Sequence, residues 1–189
     1  MRSVLICDSE PAVRAGVKNK LKEIGFDALF ECCDGESAVS MACANLPEIA
    51  IVDAEMPKKD GLNAARDIRQ KLKIPVILLM SSCDPDMLNR ARKIGITTIL
   101  TKPFRGQDLL PAIEMAHAHA EEVELLKDHV EDLKKTIESR EIIDRAKGVL
   151  LRSQGFSEFG AFRRIQQLAM DKHKSMRQIA EAILLTEGA

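Results

Sequence analysis

Residues 48–61, Glu-Ile-Ala-Ile-Val-Asp-Ala-Glu-Met-Pro-Lys-Lys-Asp-Gly, decide how this chain folds. A short apolar run carries the carboxylate of Asp53 to its end, and Met56-Pro57 stops it. A run of this length, bounded by turn residues, reads as a strand buried on both faces. A carboxylate at the carboxyl end of such a strand stands where an open α/β sheet does its chemistry. Two further stretches share the design: Val4-Leu5-Ile6-Cys7-Asp8-Ser9-Glu10-Pro11 near the start, and Ile99-Leu100-Thr101-Lys102-Pro103-Phe104 near the middle.

Outward from this stretch, apolar runs at 3–7, 28–32, 48–52, 74–80 and 97–100 alternate with helical patterns at about 10–24, 35–45, 61–72 and 85–94. The alternation predicts an α/β fold, a five-stranded doubly wound parallel sheet covered on both faces. Helix starts are expected at Ser9 before Glu10-Pro11, at Asp34 before Gly35-Glu36, and at Asp84 before Pro85.

From about Gly106 the helical pattern does not stop before Gly148, with only Pro111 intervening, so one long helix is expected. Within it Ala116, Val123, Val130 and Ile137 recur every seventh residue, with His119, Leu126 and Leu133 at the complementary positions. β-Branched residues at one seam position and Leu at the other favour a parallel two-stranded coiled coil, hence a homodimer. The competing reading is a solitary amphipathic helix packed on its own N-terminal domain. Residues 141–189 predict a small three-helix module. Gly155 closes one helix, Ser157-Glu158 opens the next, and Ser175 with Gln178 has the form of a capping box. Ala161, Ile165, Leu168 and Ala169 form one apolar stripe, and Ile179, Ile183 and Leu184 the other. The expected domains are thus 1–113, 114–140 and 141–189.

Composition narrows the function classes. Trp and Tyr are absent and only six Phe occur, which argues against an aromatic-lined sugar or base platform. The formal charge of −1 is unevenly spread: residues 114–140 carry 4 Lys/Arg against 8 Asp/Glu, and residues 141–189 carry 8 against 6, so the basic excess sits at the C-terminal end. The five cysteines, Cys7, Cys32, Cys33, Cys43 and Cys83, lack CxxC spacing and read as reduced core residues of a cytosolic protein. The longest apolar run, Ile74 to Met80, is far too short to span a bilayer, and no signal-peptide pattern opens the chain. The expected location is the cytoplasm, with no membrane partner. His117, His119, His129 and His173 form no metal-ligand pattern, so no zinc is expected.

The three acidic and basic stretches together resemble a response-regulator receiver domain, which has a flavodoxin-like sheet and accepts a phosphoryl group from a partner histidine kinase. The resemblance implies that Asp53 is the phosphoacceptor, that Asp8 and the backbone carbonyl of Glu55 are ligands for Mg²⁺, and that Lys102 before Pro103 binds the phosphate. It also exposes departures. Receivers usually carry two adjacent acids after the first strand, whereas the second is Ser9 here; Glu10 is the residue that could reach in. Ungapped counting puts Met80 at the hydroxyl position that ends the fourth strand, with Ser81 adjacent. The aromatic switch position of the fifth strand is Ile99. Any Mg²⁺ site is therefore expected to be weak, and two readings stay open: a weakly phosphorylatable receiver, or a receiver fold kept as a scaffold. Neither is an enzyme with turnover.

Asp144-Arg145-Ala146-Lys147-Gly148, Gly155-Phe156-Ser157-Glu158, Ala161-Phe162 and Ala169-Met170 look like the ANTAR domain, the RNA-binding output of the AmiR and NasT antitermination regulators. The resemblance implies a dimeric transcription antiterminator that binds stem-loops in nascent leader RNA. Without Tyr or Trp, binding would fall to cations and polar groups. The candidates are Arg145, Lys147, Arg152, Arg163, Arg164, Lys172, Lys174 and Arg177, with Phe156, Phe159 and Phe162 expected in the core, and Ala146 and Gly148 expected to allow close helix packing. The dimer seam would be Val123, Leu126, Val130, Leu133 and Ile137. Two rival readings are a DNA-binding response regulator and a signalling adaptor that binds proteins only.

Overall fold

The computed structural model describes residues 3–82 and 84–187, the side chain of Glu187 excepted. Strands β1 (Ser3–Cys7), β2 (Ala28–Cys32), β3 (Ile49–Asp53), β4 (Val76–Met80) and β5 (Thr98–Thr101) form one parallel sheet in the order β2-β1-β3-β4-β5. Helices α1 (Pro11–Glu23), α2 (Gly35–Asn45), α3 (Gly61–Leu72) and α4 (Pro85–Lys93) connect them, and α5 (Gly106–Gln154) follows the last strand. Every residue of β3 and β4 is buried, which explains why their sequence is apolar without alternation. Successive side chains nevertheless leave on opposite faces. Val4, Ile6, Ile49, Ile51, Ile77 and Leu79 pack with α1 and the start of α5, while Leu5, Cys7, Ala50, Val52 and Leu78 pack with α2, α3 and α4. The strand order reverses between β1 and β3, so the carboxyl ends of these two strands form the crevice where such sheets bind ligands.

The caps follow the sequence with one exception. Asp34 accepts from the backbone N–H groups of Glu36 and Ser37, and Asp84 from that of Asp86. The residue that caps α1 is Glu10, not Ser9, and its side chain makes no capping bond. Pro11 has no N–H to offer, and the N–H of Glu10 donates instead to Asp8 Oδ1 at 2.8 Å. The cysteines also divide. Cys7 and Cys32 are buried neighbours on paired strands, their sulfurs 2.7 Å apart, and burial pushes the Cys7 thiol up. Cys33 and Cys43, expected in the core, are exposed: Cys33 follows β2 into the turn, and Cys43 lies on the outer side of α2. Cys83 lies outside the described residues.

The chain divides between Glu124 and Leu125 into two compact units. In the second unit the end of α5 packs with α6 (Glu158–Asp171) and α7 (Met176–Glu187) around Ala146, Leu150, Ala161, Ile165, Ala169, Ile179 and Ala180. The helix predicted to reach Gly148 continues through it to Gln154. Gly155 then takes φ +68°, a left-handed residue that stops a helix with little strain. The capping box forms in full: Gln178 N–H donates to Ser175 Oγ, and Ser175 N–H donates to Gln178 Oε1. Among the phenylalanines only Phe156 joins this core. Phe159 is 69% exposed and Phe162 40%, because Ala161, Ile165 and Ala169 already fill the inner face of α6. Gly148 is corrected too. A Cβ there would meet only Arg152 Nη1, at 3.8 Å, so no close helix packing requires the glycine.

Candidate functional site

Three charged side chains converge at the sheet's carboxyl edge. Asp53 ends β3, Asp8 follows β1, and Lys102 follows β5, all with little solvent exposure. The loop holding Lys102 continues the sheet's bonding, since its N–H donates to the carbonyl of Met80 at 2.8 Å, and a cis peptide joins it to Pro103. Lys102 Nζ donates to Asp53 Oδ2 at 2.9 Å and stands 2.6 Å from Asp8 Oδ2 and 4.0 Å from Glu10 Oε1. Asp53 Oδ1 accepts from the N–H of Glu55 at 3.2 Å. Gly61 lets the chain pass close behind: a Cβ there would lie 1.7 Å from the carbonyl oxygen of Asp53.

Two carboxylates share one ammonium, and that imbalance sets the electrostatics. Burial raises the pKa of Asp53 and the charge of Asp8 adds to the rise, against the hydrogen bonds from Lys102 and Glu55. Burial works against the charge on Lys102, yet the two carboxylates outweigh it and its pKa is raised. The pair Asp8 and Asp53 thus keeps one uncompensated negative charge. Asp8 Oδ2 is buried and accepts no well-angled hydrogen bond despite its ion pair with Lys102. A hard divalent cation fits this unsatisfied oxygen beside the Asp53 carboxylate and the backbone of Glu55. The fit is sparse: among the described residues no three His, Cys, Asp or Glu side chains gather as a metal cage. Ser9 is exposed where receivers carry a second acid, and Arg14 brings a cation beside the loop, donating to the carbonyls of Asp8 at 2.7 Å and Ser9 at 3.3 Å.

The switch positions separate. Met80 is buried in the core under α2, α3 and α4, and Ile99 packs half-buried against the same cluster. The hydroxyl that reaches the site's rim is that of Ser81, exposed and 3.4 Å from Glu55 Oε2. A cavity of about 500 Å³ opens beside it, lined by Glu10, Val13, Ser81, Lys102 and Phe104 among others. Chemically the arrangement offers an aspartate oxygen as nucleophile and an ammonium to meet the oxygens of an incoming phosphoryl group.

In the second unit the eight candidate cations fall into two sets. Lys147 is bound to Asp144 at 2.7 Å and Glu158 at 3.3 Å, so it ties the end of α5 to the first turn of α6. Arg177 is bound to Glu181 at 2.9 Å and Glu138 at 3.6 Å. The remaining six, Arg145, Arg152, Arg163, Arg164, Lys172 and Lys174, are exposed and carry no ion pair among the described residues. Arg145 and Arg152 flank Gly148 in a shallow depression closed by Leu184. Arg163 lies over the ring of Phe159, 5.4 Å from its centroid. That aromatic contact was not anticipated from the sequence, although the Phe-x-x-x-Arg spacing does place the two residues on one helix face.

Leu126, Val130, Leu133 and Ile137 lie exposed along α5, each between 50% and 63% accessible. Ala116, counted with that seam from the sequence, is instead buried in the first unit's core. No helix among the described residues is long and apolar enough to cross a membrane.

Comparison with known proteins agrees with this geometry. Residues 4–114 match the response regulator receiver domain and residues 131–184 match the ANTAR domain. The chain is 37% identical over 187 residues to the transcriptional regulatory protein PdtaR of Mycobacterium tuberculosis, covering 99% of this chain and 91% of PdtaR. Among solved structures, the signal receiver domain of a modulated diguanylate cyclase from Desulfovibrio desulfuricans G20 is 31% identical. It aligns with a TM-score of 0.60 over 65% of this chain and 98% of its own. The chemotaxis protein CheY4 of Vibrio cholerae is 25% identical, with a TM-score of 0.58 over 61% of this chain and 98% of its own. With the acidic pocket at one end of the sequence and the helical module at the other, the chain belongs to the response regulators of the ANTAR type.

Proposed function

We propose that this protein is a phosphorylation-responsive transcription antiterminator that binds stem-loops in nascent leader RNA. The observation that carries the reading is the set of six exposed cations left without ion pairs on a small helical module, in a chain whose total charge is close to neutral. Free Lys and Arg on one module provide the phosphate contacts that RNA binding needs. The DNA-binding alternative is weaker. The base-reading residues at the start of α7 are Arg177 and Gln178, and both are engaged, Arg177 with Glu181 and Glu138 and Gln178 in the capping box.

In the proposed cycle a histidine kinase presents a phosphohistidine, and an oxygen of Asp53 attacks phosphorus as the histidine nitrogen leaves. Lys102 holds the phosphoryl oxygens, and its contacts with Asp53 and Asp8 rearrange as the acyl phosphate forms. Bound Mg²⁺ would supply charge neutralisation at Asp8 and Asp53, weakly because Ser9 replaces a carboxylate. Val123, Leu126, Val130, Leu133 and Ile137 form the seam of a homodimer, with a receiver at 1–113, a dimerisation helix at 114–140 and the RNA module at 141–189. The cytoplasm, where nascent RNA is made, is the compartment this role requires. The test is a filter-binding comparison of hairpin RNA with duplex DNA of equal length and charge. Preference for the hairpin supports antitermination; preference for the duplex overturns it in favour of a DNA-binding regulator, and failure to bind either favours a protein adaptor.

A further inference from the structure

The outward face of α6 carries an aromatic and cationic stripe that the module's own packing does not use. Phe159, Arg163, Gln166 and Met170 recur at spacings of four, three and four and so share one side of the helix, opposite Ala161, Ile165 and Ala169. Phe159 and Met170 are among the most exposed large apolar side chains of the chain, at 69% and 66%. This is a chain that has only six aromatic residues to place. The Arg163 guanidinium lies over the Phe159 ring and makes no ion pair among the described residues. The carboxylates of α6 are both turned to other partners: Glu158 to Lys147, and Asp171 to the amide of Gln167 at 2.8 Å. At the far end of the stripe, Gln166, Met170, His173 and Lys174 line a single open depression. The face therefore alternates apolar and cationic side chains along the helix, from Phe159 and Arg163 to Met170 and Lys174, while its two carboxylates are held by other partners.

This charge pattern selects the occupant. A second copy paired symmetrically through this face would cover Phe159 and Met170 but would bring Arg163 and Lys174 against the same cations, and an apolar protein partner would leave them without counter-charges. An RNA loop supplies both halves, unpaired bases with flat faces and phosphates with negative charge. We propose that Phe159 with Arg163 is a stacking platform for an unpaired loop base of the bound RNA, with Lys174 on the adjacent phosphates and Gln166 placed to read the base edge. The proposal rests on the RNA-binding reading above and assigns it to α6, in place of the groove flanked by Arg145 and Arg152.

The test uses the full chain and two probes: hairpin RNAs with one common stem and a randomised loop containing 2-aminopurine, and the same stem as a blunt duplex. Phe159→Ala is expected to weaken loop binding on the order of tenfold. It should abolish the quenching of 2-aminopurine, leave duplex binding unchanged and leave the salt slope intact, because a neutral ring contacts no phosphate. Phe159→Trp should keep the quenching, whereas Phe159→Leu, which keeps an apolar contact, should not. Arg145→Gln with Arg152→Gln should leave the quenching in place. If the native chain binds the loop RNA and Phe159→Ala binds and quenches equally well, the platform is wrong and the RNA reading stands. If the native chain binds no hairpin at all, both fall. A change of oligomeric state in Phe159→Ala without loss of RNA affinity would identify a second copy as the occupant and would also overturn the proposal.

Discussion

At Ser9 an exposed hydroxyl stands at the position where the resemblance to receivers implies a second acid. Asp8 and Asp53 share Lys102, and Asp8 Oδ2 has no hydrogen donor in good geometry. A carboxylate at position 9 would add a hard oxygen ligand and a negative charge next in sequence to Asp8. Ser9→Asp is expected to tighten Mg²⁺ binding on the order of tenfold and to speed labelling of Asp53 by a small-molecule phosphodonor. Isothermal titration with Mg²⁺ reads the first effect and phosphoprotein gels the second; equal affinity in the two proteins would mean that Ser9 is not what weakens the site. A second acid contributes to the dependence of stability on pH. Asp34 caps α2 and pairs with Lys58 at 3.0 Å, and its bonds to the Ser37 N–H and to Lys58 hold its carboxyl at about 2. A carboxyl held lower in the folded than in the unfolded chain stabilises the fold above its unfolded pKa, and that contribution is lost as pH falls toward the folded value. Asp34→Asn keeps a good cap but loses the charge. It should be less stable than the native chain at neutral pH, with the gap closing between about pH 4 and pH 2 in denaturant titrations.

At the scale of elements, the sheet was legible because its central strands β1, β3 and β4 are nearly continuous apolar runs, and the helix starts were legible where an Asp precedes them. Ser9 misled because the cap chemistry of α1 depends on Pro11 lacking an N–H and on Asp8 reaching Glu10, a contact set by the pocket and not by local pattern. Lys147 and Phe159 were misread for other reasons. Glu158, eleven residues from Lys147, becomes its partner only when α6 folds back on α5, and Phe159 was read as core from its apolar ring although the stripe of Ala161, Ile165, Leu168 and Ala169 leaves it on the other side of the helix. The Asp53–Lys102 contact was legible only through resemblance, since forty-nine residues separate its members. Two glycines measure the same distinction between pattern and packing. At Gly148, within α5, a Cβ has open space, so Gly148→Ala should stabilise the second unit by about 0.5–1 kcal/mol, read as a higher melting temperature. RNA affinity should not change, because the proposed platform lies on α6. At Gly61 the same methyl would strike the Asp53 carbonyl, so Gly61→Ala should cost about 1–3 kcal/mol and slow phosphodonor labelling. Opposite signs of stability change, measured by thermal denaturation, check the pair; a destabilised Gly148→Ala would show that something does pack against that position.

For the whole molecule, the decisive feature is that α5 belongs to both compact units. Its early residues Leu109, Ala112, Ile113 and Ala116 are committed to the receiver core, and its last turns, with Ala146 and Leu150, to the C-terminal core. Between them Leu126, Val130, Leu133 and Ile137 make no core of their own and stay exposed. Four large apolar residues at coiled-coil spacing, flanked by acids and lysines, are costly to leave in water, and the homodimer proposed above would cover them with an identical stripe on a second chain. Val130→Glu with Leu133→Glu would force like charges from both chains into that seam. Sedimentation should then show a monomer, with the receiver still folded because neither residue touches its core. The RNA readout separates this from a loss of the binding surface itself. A dimer holding two hairpins gains avidity from the second contact, so the monomer should lose affinity for a paired-hairpin leader yet keep its affinity for a single hairpin. An unchanged dimer in the double variant would remove the seam from the assembly, and equal loss on single and paired hairpins would mean that the substitutions had damaged the RNA module.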